Sequence, residues 1–223
     1  YWRAAASGKP IESRERYAAL AGLVRQIIRL QPRPDYAVFP ELSIPQSWIH
    51  SLSNTLLASG ISVIAGVEYL HVDRDSSDSH SGPGRVKNSA CLALTDDRLG
   101  YPSSAMIWHP KGIPAPEEEH ELLSKFGKEL EGGGYDDPKN RPVISHCGFE
   151  FGVLICSELL NINHRARYQG DVDCLFILSW NQDLRTFSSM VESAAQDVHA
   201  YTVIVNNRQY GDSRARIPAK IDY

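Results

Sequence analysis

FGVLICSELLN, running from Phe151 to Asn161, is the stretch that decides the fold of this chain. Phe151 to Ile155 are largely apolar and read as a buried strand, which runs directly into Cys156, Ser157, Glu158 and residues able to begin a helix. A side chain at such a turn is presented at the end of a strand. A thiol there acts as a nucleophile if its surroundings lower its pKa or remove its proton. The plainer reading is a small core residue, because free cysteines are among the most buried side chains.

Working outward, other polar residues fall at similar places. Asp35 to Phe39 reads as a short strand and delivers Pro40-Glu41. Ser103 to Trp108 reads as another and is followed by Lys111. The run Val172 to Leu178 leads to Ser179-Trp180-Asn181, and Thr202 to Asn206 leads to the loop YGDSRARIP. Apolar residues at helical spacing predict helices over Ile11 to Leu30, Pro45 to Ser59 and Ser188 to Ala200. Ile61 to Val67 and the alternating Val86 to Leu94 read as strands, with a turn at Asp96 to Gly100, and Pro142 to His146 pairs with Phe149 to Ile155 as a hairpin. Strands alternating with helices imply an α/β layered fold with a mixed sheet. Glu41, Lys111, Cys156 and Trp180-Asn181 then share the carboxyl ends of strands, where ligands of open α/β sheets bind. Glu41 and Lys111, each taken alone, also fit a solvated loop. The acidic run Glu117 to Glu119 equally suits the first turn of a helix, where it complements the dipole, and Gly132 to Gly134 points to mobility nearby.

The chain has 223 residues and a formal net charge of -4. That length suits one domain, residues 1–223, with a substantial core. No dense basic block suggests a nucleic-acid partner, and no apolar run has membrane-spanning length. Cys91, Cys147, Cys156 and Cys174 form no CxxC pair, which suits reduced thiols in a cytoplasmic protein, and His146, Cys147, Cys156 and His164 lack zinc-ligand spacing. No metal or cofactor is expected. The polar tract 73–84 reads as a surface loop.

Taken in order, FPELSIP around Glu41, HPKGIPAPEEE around Lys111 and GVLICSELLN around Cys156 resemble the three motifs of the carbon-nitrogen hydrolase, or nitrilase, superfamily. Asn88-Ser89, the SWN segment and Gly211-Asp212-Ser213 fall in the same order as in that family. The resemblance implies a four-layer αββα sandwich, with Glu41 as general base, Cys156 as nucleophile and Lys111 as oxyanion donor. It implies a second glutamate at Glu119, with Glu118 nearly as good a match. Ser157, Trp180 and Asn181 are expected against a small amide or nitrile substrate. A free thiol has a pKa of about 8.5, so a base and a cation are needed to generate thiolate at neutral pH.

Ser157, Glu158 and Leu160 stand where an aromatic, an aspartate and often an arginine are usual in the family. The family's first strand is absent or only begun, and the closing strands are not reached. A domain of a longer polypeptide is therefore expected. The resemblance also implies self-association through helices near Leu159 to Tyr168 and Ser188 to Ala200. The alternative function is a catalytically silent nitrilase-like module for binding or assembly, such as one fused to a reverse transcriptase in phage defence. A papain-like protease fits poorly, because His146 precedes Cys156 and the local cysteine signature is missing.

Overall fold

Successive side chains of a strand point to opposite faces, and the strand Ser62–Val72 is buried continuously from Ser62 to Tyr69, so each face needs its own cover. The computed structural model, which describes residues 1–72, 82–98 and 100–218, meets that need with four layers. In the first sheet, β1 (Tyr36–Ile44), β2 (Ser62–Val72), β3 (Gly84–Asp96) and β4 (Ser103–Pro110) lie side by side in that order. The short β5 (Lys128–Leu130) runs parallel to β3 beside residues 84 to 86, the part of β3 that β4 leaves unpaired. The second sheet has the order β10 (Arg214–Arg216), β9 (Tyr201–Asn206), β8 (Cys174–Ser179), β7 (Phe149–Ile155) and β6 (Ile144–His146). Both sheets are mixed: β1/β2 and β7/β8/β9 are parallel, and the other neighbours apart from β3/β5 are antiparallel.

Ile64, Ala90, Leu92 and Leu94 of the first sheet pack with Phe151, Val153, Phe176 and Ile204 of the second. Tyr36, Phe149, Phe151 and Phe176 form the aromatic part of this layer, with centroid distances from 5.5 to 6.1 Å. The alternate residues Val63, Ala65, Cys91 and Ala93 face outward and are covered by α2 (Arg14–Ile28) and α3 (Gln46–Leu57) through Val24, Ile49, Leu52 and Leu56. Across the molecule, Val191, Ala194 and Val198 of α6 (Leu184–Val198) cover the second sheet, beside α5 (Ile162–Ala166). The αββα sandwich implied by the motifs is the observed architecture.

Several elements differ from the sequence reading. The opening residues form a short helix, α1 (Trp2–Ala6), and β1 continues through Pro40-Glu41 to Ile44. The loop YGDSRARIP contains β10, paired with β9. The residues after Cys156 form a 3-10 turn, Cys156–Leu160, before α5 begins. α6 starts at Leu184, where the Asp183 side chain caps Thr186 N, four residues before the apolar stripe suggests. The Gly132 to Gly134 tract is a packing device as well as a turn: a β-carbon on Gly132 would lie 2.3 Å from Gly112 O, so the two strands of chain touch backbone to backbone. Residues 73–81 of the polar tract and residue 99 of the expected turn lie outside the described residues.

Candidate active site

Two backbone kinks put a carboxylate and a thiol into one cavity. The pairing of β1 with β2 slips between Phe39 and Ile44, and within that bulge Leu42 takes φ 52°, which turns Glu41 into the molecule. The bulge rests on Gly66 of β2, where a β-carbon would lie 2.2 Å from Pro40 O and 2.4 Å from Glu41 Cα. Only glycine lets the two strands approach this closely. Cys156, at the end of β7, has φ 50°. A non-glycine residue in the left-handed region costs free energy and collects at functional sites.

Lys111 follows β4, and its backbone N-H donates to Asn88 O of β3 at 2.7 Å. Its ammonium, 1 % exposed, lies 2.9 Å from Glu41 Oε1 and 2.6 Å from Glu118 Oε2. Asn88 Nδ2 donates to both carboxylates, at 2.8 Å to Glu41 Oε1 and 3.0 Å to Glu118 Oε1. The other Glu41 oxygen accepts the Trp180 backbone N-H at 3.0 Å. Glu118 also accepts from Tyr69 Oη at 2.7 Å and from Ala115 N at 3.1 Å, the latter closing the first turn of α4 (Pro116–Phe126). The second glutamate beside the lysine is thus Glu118, and the expectation of Glu119 is corrected. Glu119 is exposed, because each helical step rotates a side chain by about 100° and α4 is docked through Leu122.

The two carboxylates differ in kind. Burial raises the pKa of Glu41 and Lys111 only partly opposes it, with the Glu118 charge adding to the rise. For Glu118, burial is outweighed by Lys111, Tyr69 and Asn88, and its pKa is lowered. Burial also disfavours the Lys111 charge, but Glu118 and Glu41 together hold it well above the ordinary lysine value. Cys156 is 7 % exposed, and burial, reinforced by Glu41, pushes its thiol up to about 12. Its sulfur lies 3.9 Å from Trp180 O and 3.8 Å from Ser179 Oγ. The thiol keeps its proton, and the same cavity holds the Glu41 carboxylate, whose proton affinity is raised.

Glu41, Lys111, Glu118 and Cys156 line one cavity of about 500 Å³. Ser157, Trp180 and Asn181 line it too, although the Asn181 side chain is spent on the loop, bonding Asp183 O and Asp183 N. Trp2, Leu42, Tyr69 and Phe187 supply apolar wall. Sequence reading missed Tyr69 and the bridging role of Asn88. Tyr69 lies just past the strand expected to end at Val67, whereas β2 (Ser62–Val72) runs on through it. Among the described residues no three His, Cys, Asp or Glu side chains gather as a metal site, and no helix is long and apolar enough to cross a membrane. The four cysteines are free thiols, with only Cys147 exposed.

This arrangement can be compared with known proteins. No protein-family model and no curated protein sequence matches the chain. Solved structures do. Nit3 of Saccharomyces cerevisiae, a member of branch 10 of the nitrilase superfamily, superposes with a TM-score of 0.64 at 16% identity, over 92% of this chain and 78% of its own. An amidase from Nesterenkonia sp. gives 0.61 at 14% identity, over 91% and 77%. XC1258 of Xanthomonas campestris, a CN-hydrolase superfamily protein with an arsenic adduct in its active site, gives 0.59 at 13% identity, over 91% and 76%. This chain has the nitrilase-superfamily fold. Within the nitrilase fold, Glu41, Lys111 and Cys156 arise from β1, the end of β4 and the end of β7, so both sheets contribute to the cavity.

Proposed function

We propose that the protein is a thiol-dependent hydrolase of a non-peptide carbon-nitrogen bond in an amide, carbamoyl compound or nitrile. The observation that carries this reading is the Cys156 thiol, set on a positive-φ turn in the same cavity as a lysine bridged between two unlike carboxylates. Cys156 is the nucleophile and Glu41 the base. As Sγ bonds to the substrate carbon, the thiol proton passes to Glu41 and the carbonyl electron pair moves onto oxygen. Lys111 has three N-H donors and uses two on Glu41 and Glu118, which leaves one for the oxyanion. Ser157 N-H, in the first turn of the 3-10 segment where amides lack an intrahelical partner, is the second donor. Such donors each contribute roughly 3 to 4 kcal/mol to transition-state stabilisation.

When the tetrahedral intermediate collapses, the carbon-nitrogen bond breaks and the Glu41 proton goes to the leaving nitrogen. Water then attacks the thioester, Glu41 accepts its proton, and Cys156 departs and is reprotonated. Glu118 stays ionised throughout and fixes the lysine. A glutamate-to-glutamine mutant of the Nesterenkonia amidase, which shows the result of Michael addition of acrylamide at the active-site cysteine, shares the fold and supports the nucleophile assignment by analogy. The test is turnover of a panel of amides, nitriles and carbamoyl compounds by wild type and Cys156→Ala, with a search for a Cys156 thioester by intact mass. Hydrolysis or thioester formation confined to the wild type is expected. Equal inertness of both proteins on every compound, with no adduct, would leave a silent nitrilase-fold module instead.

A further inference from the structure

Glu158 belongs to no catalytic contact, yet its carboxylate joins the two segments that carry Lys111 and Cys156. It is the third residue of the turn that Cys156 begins, and it is buried. Oε1 accepts the backbone N-H of Gly112, the residue after Lys111, at 2.7 Å. Oε2 accepts the backbone N-H of Ile155, the residue before Cys156, at 2.8 Å. The first of these segments ends a strand of one sheet and the second ends a strand of the other. Arg141 is fully buried, donates from Nη1 to Oε2 at 3.0 Å and from Nη2 to Oε1, and binds Tyr135 O through Nη2 at 2.8 Å. Tyr135 O in turn backs Gly112 so closely that a β-carbon there would lie 2.1 Å from it.

Only an ionised carboxylate can accept from two backbone amides and a guanidinium fork at once, because both of its oxygens are acceptors. A buried ion pair is weak evidence for stability as such, since its desolvation offsets most of its attraction. Its placement is informative here. We propose that Glu158, oriented by Arg141, is a positioning residue that fixes the approach of Lys111 and Cys156 to a common substrate atom. The proposal rests on the hydrolase reading above, because it assigns Glu158 to the geometry of that same site. Paired with Arg141, Glu158 adds no net charge to the cavity, so its effect on the thiol comes through distance.

The test compares alkylation of Cys156 and Cys147 by iodoacetamide, followed by peptide mass spectrometry from pH 6 to 9. In each event the Sγ-CH2 bond forms, iodide leaves and the thiol proton passes to a base. Cys147 is exposed at the opposite end of β7 and serves as an internal reference. Glu158→Gln keeps the shape and places an amide N-H2 against a donor. Glu158→Asp keeps the ion pair with Arg141, so that the fold is preserved, and is one methylene too short to reach both amides. Folding of each variant is checked by circular dichroism and urea unfolding.

The expected result is a tenfold or greater fall in the Cys156 to Cys147 rate ratio in both variants. The shallow pH dependence of a base-assisted thiol should change at the same time to the steep rise of an unassisted one. A purely structural role would lower the unfolding midpoint and leave the ratio and its pH profile unchanged. Either folded variant behaving in that way overturns the proposal. Should Cys156 of the wild type react no faster than Cys156 of Glu41→Gln, the base-assisted thiol itself is refuted, and the positioning role falls with it for that separate reason.

Discussion

Replacing Lys111 with Met tests the buried charge arrangement without any need for a substrate. The substitution keeps a chain of similar length and removes the ammonium lying 2.9 Å from Glu41 and 2.6 Å from Glu118. At an effective dielectric near 20, each pair represents about 6 kcal/mol of gross attraction, most of it offset by desolvation. Stripping one partner from such a group leaves uncompensated buried charge and costs about 3 to 5 kcal/mol. The cost should depend on pH. With the lysine gone, Glu41, whose pKa burial already raises, takes up a proton, since two carboxylates sharing Asn88 cannot both remain charged. A carboxyl with a raised folded-state pKa contributes stability that is present below the unfolded value and lost as pH rises through the folded one. Each pH unit in that interval is worth about 1.4 kcal/mol. Lys111→Met should therefore be most destabilising at pH 8 and closer to wild type at pH 5, by about 2 kcal/mol or more in the difference. Urea unfolding followed by tryptophan fluorescence at pH 5, 6.5 and 8 measures this. A cost below about 1 kcal/mol at pH 8, or an equal cost at pH 5 and pH 8, would refute the buried triad of charges.

Three further outcomes are expected. Glu118→Gln should lower Cys156 alkylation and any turnover by at least tenfold, whereas Glu119→Gln, on the exposed side of α4, should match wild type in both; equal effects would contradict the rotation assigned to that helix. Gly66→Ala drives a methyl group into Pro40 O and Glu41 Cα, so urea unfolding should show a loss of about 1 to 3 kcal/mol. Its Cys156 alkylation should fall as well. At alkaline pH the buried thiols dominate: burial pushes Cys91 up to about 11 and Cys156 and Cys174 up to about 12. These thiols keep protons in the folded state that the unfolded chain releases above pH 9, so stability should fall by up to about 4 kcal/mol per pH unit between pH 9 and 11. The slope should be shallower in Cys174→Ala, and a flat profile across that range would refute the burial of the thiols.

The order of strands and helices was legible because period-two and helical apolar spacing are properties of nearby residues, as in Val86 to Leu94 or Val191 to Val198. The FPE, HPK and LIC segments added the residue types that thiol chemistry needs, in an order that resembled one family. Tertiary structure decided what depends on how distant segments meet. Nothing local in EEE says which glutamate faces Lys111; the docking of α4 through Leu122 turned Glu118 inward and left Glu119 in solvent. Asn88 read as one residue of an alternating strand, and only the approach of β1 and α4 to β3 made its amide a bridge between two carboxylates. Gly66 read as an ordinary strand residue until the bulge that carries Glu41 came to rest on it.

Glu158 read as a departure from a motif, and packing made it the acceptor shared by the lysine segment and the cysteine turn. As for Cys156, sequence alone placed it at the end of a buried strand. The fold put its sulfur in one cavity with a lysine and a carboxylate, because the bulge of β1 and the carboxyl ends of β4 and β7, from two packed sheets, converge there.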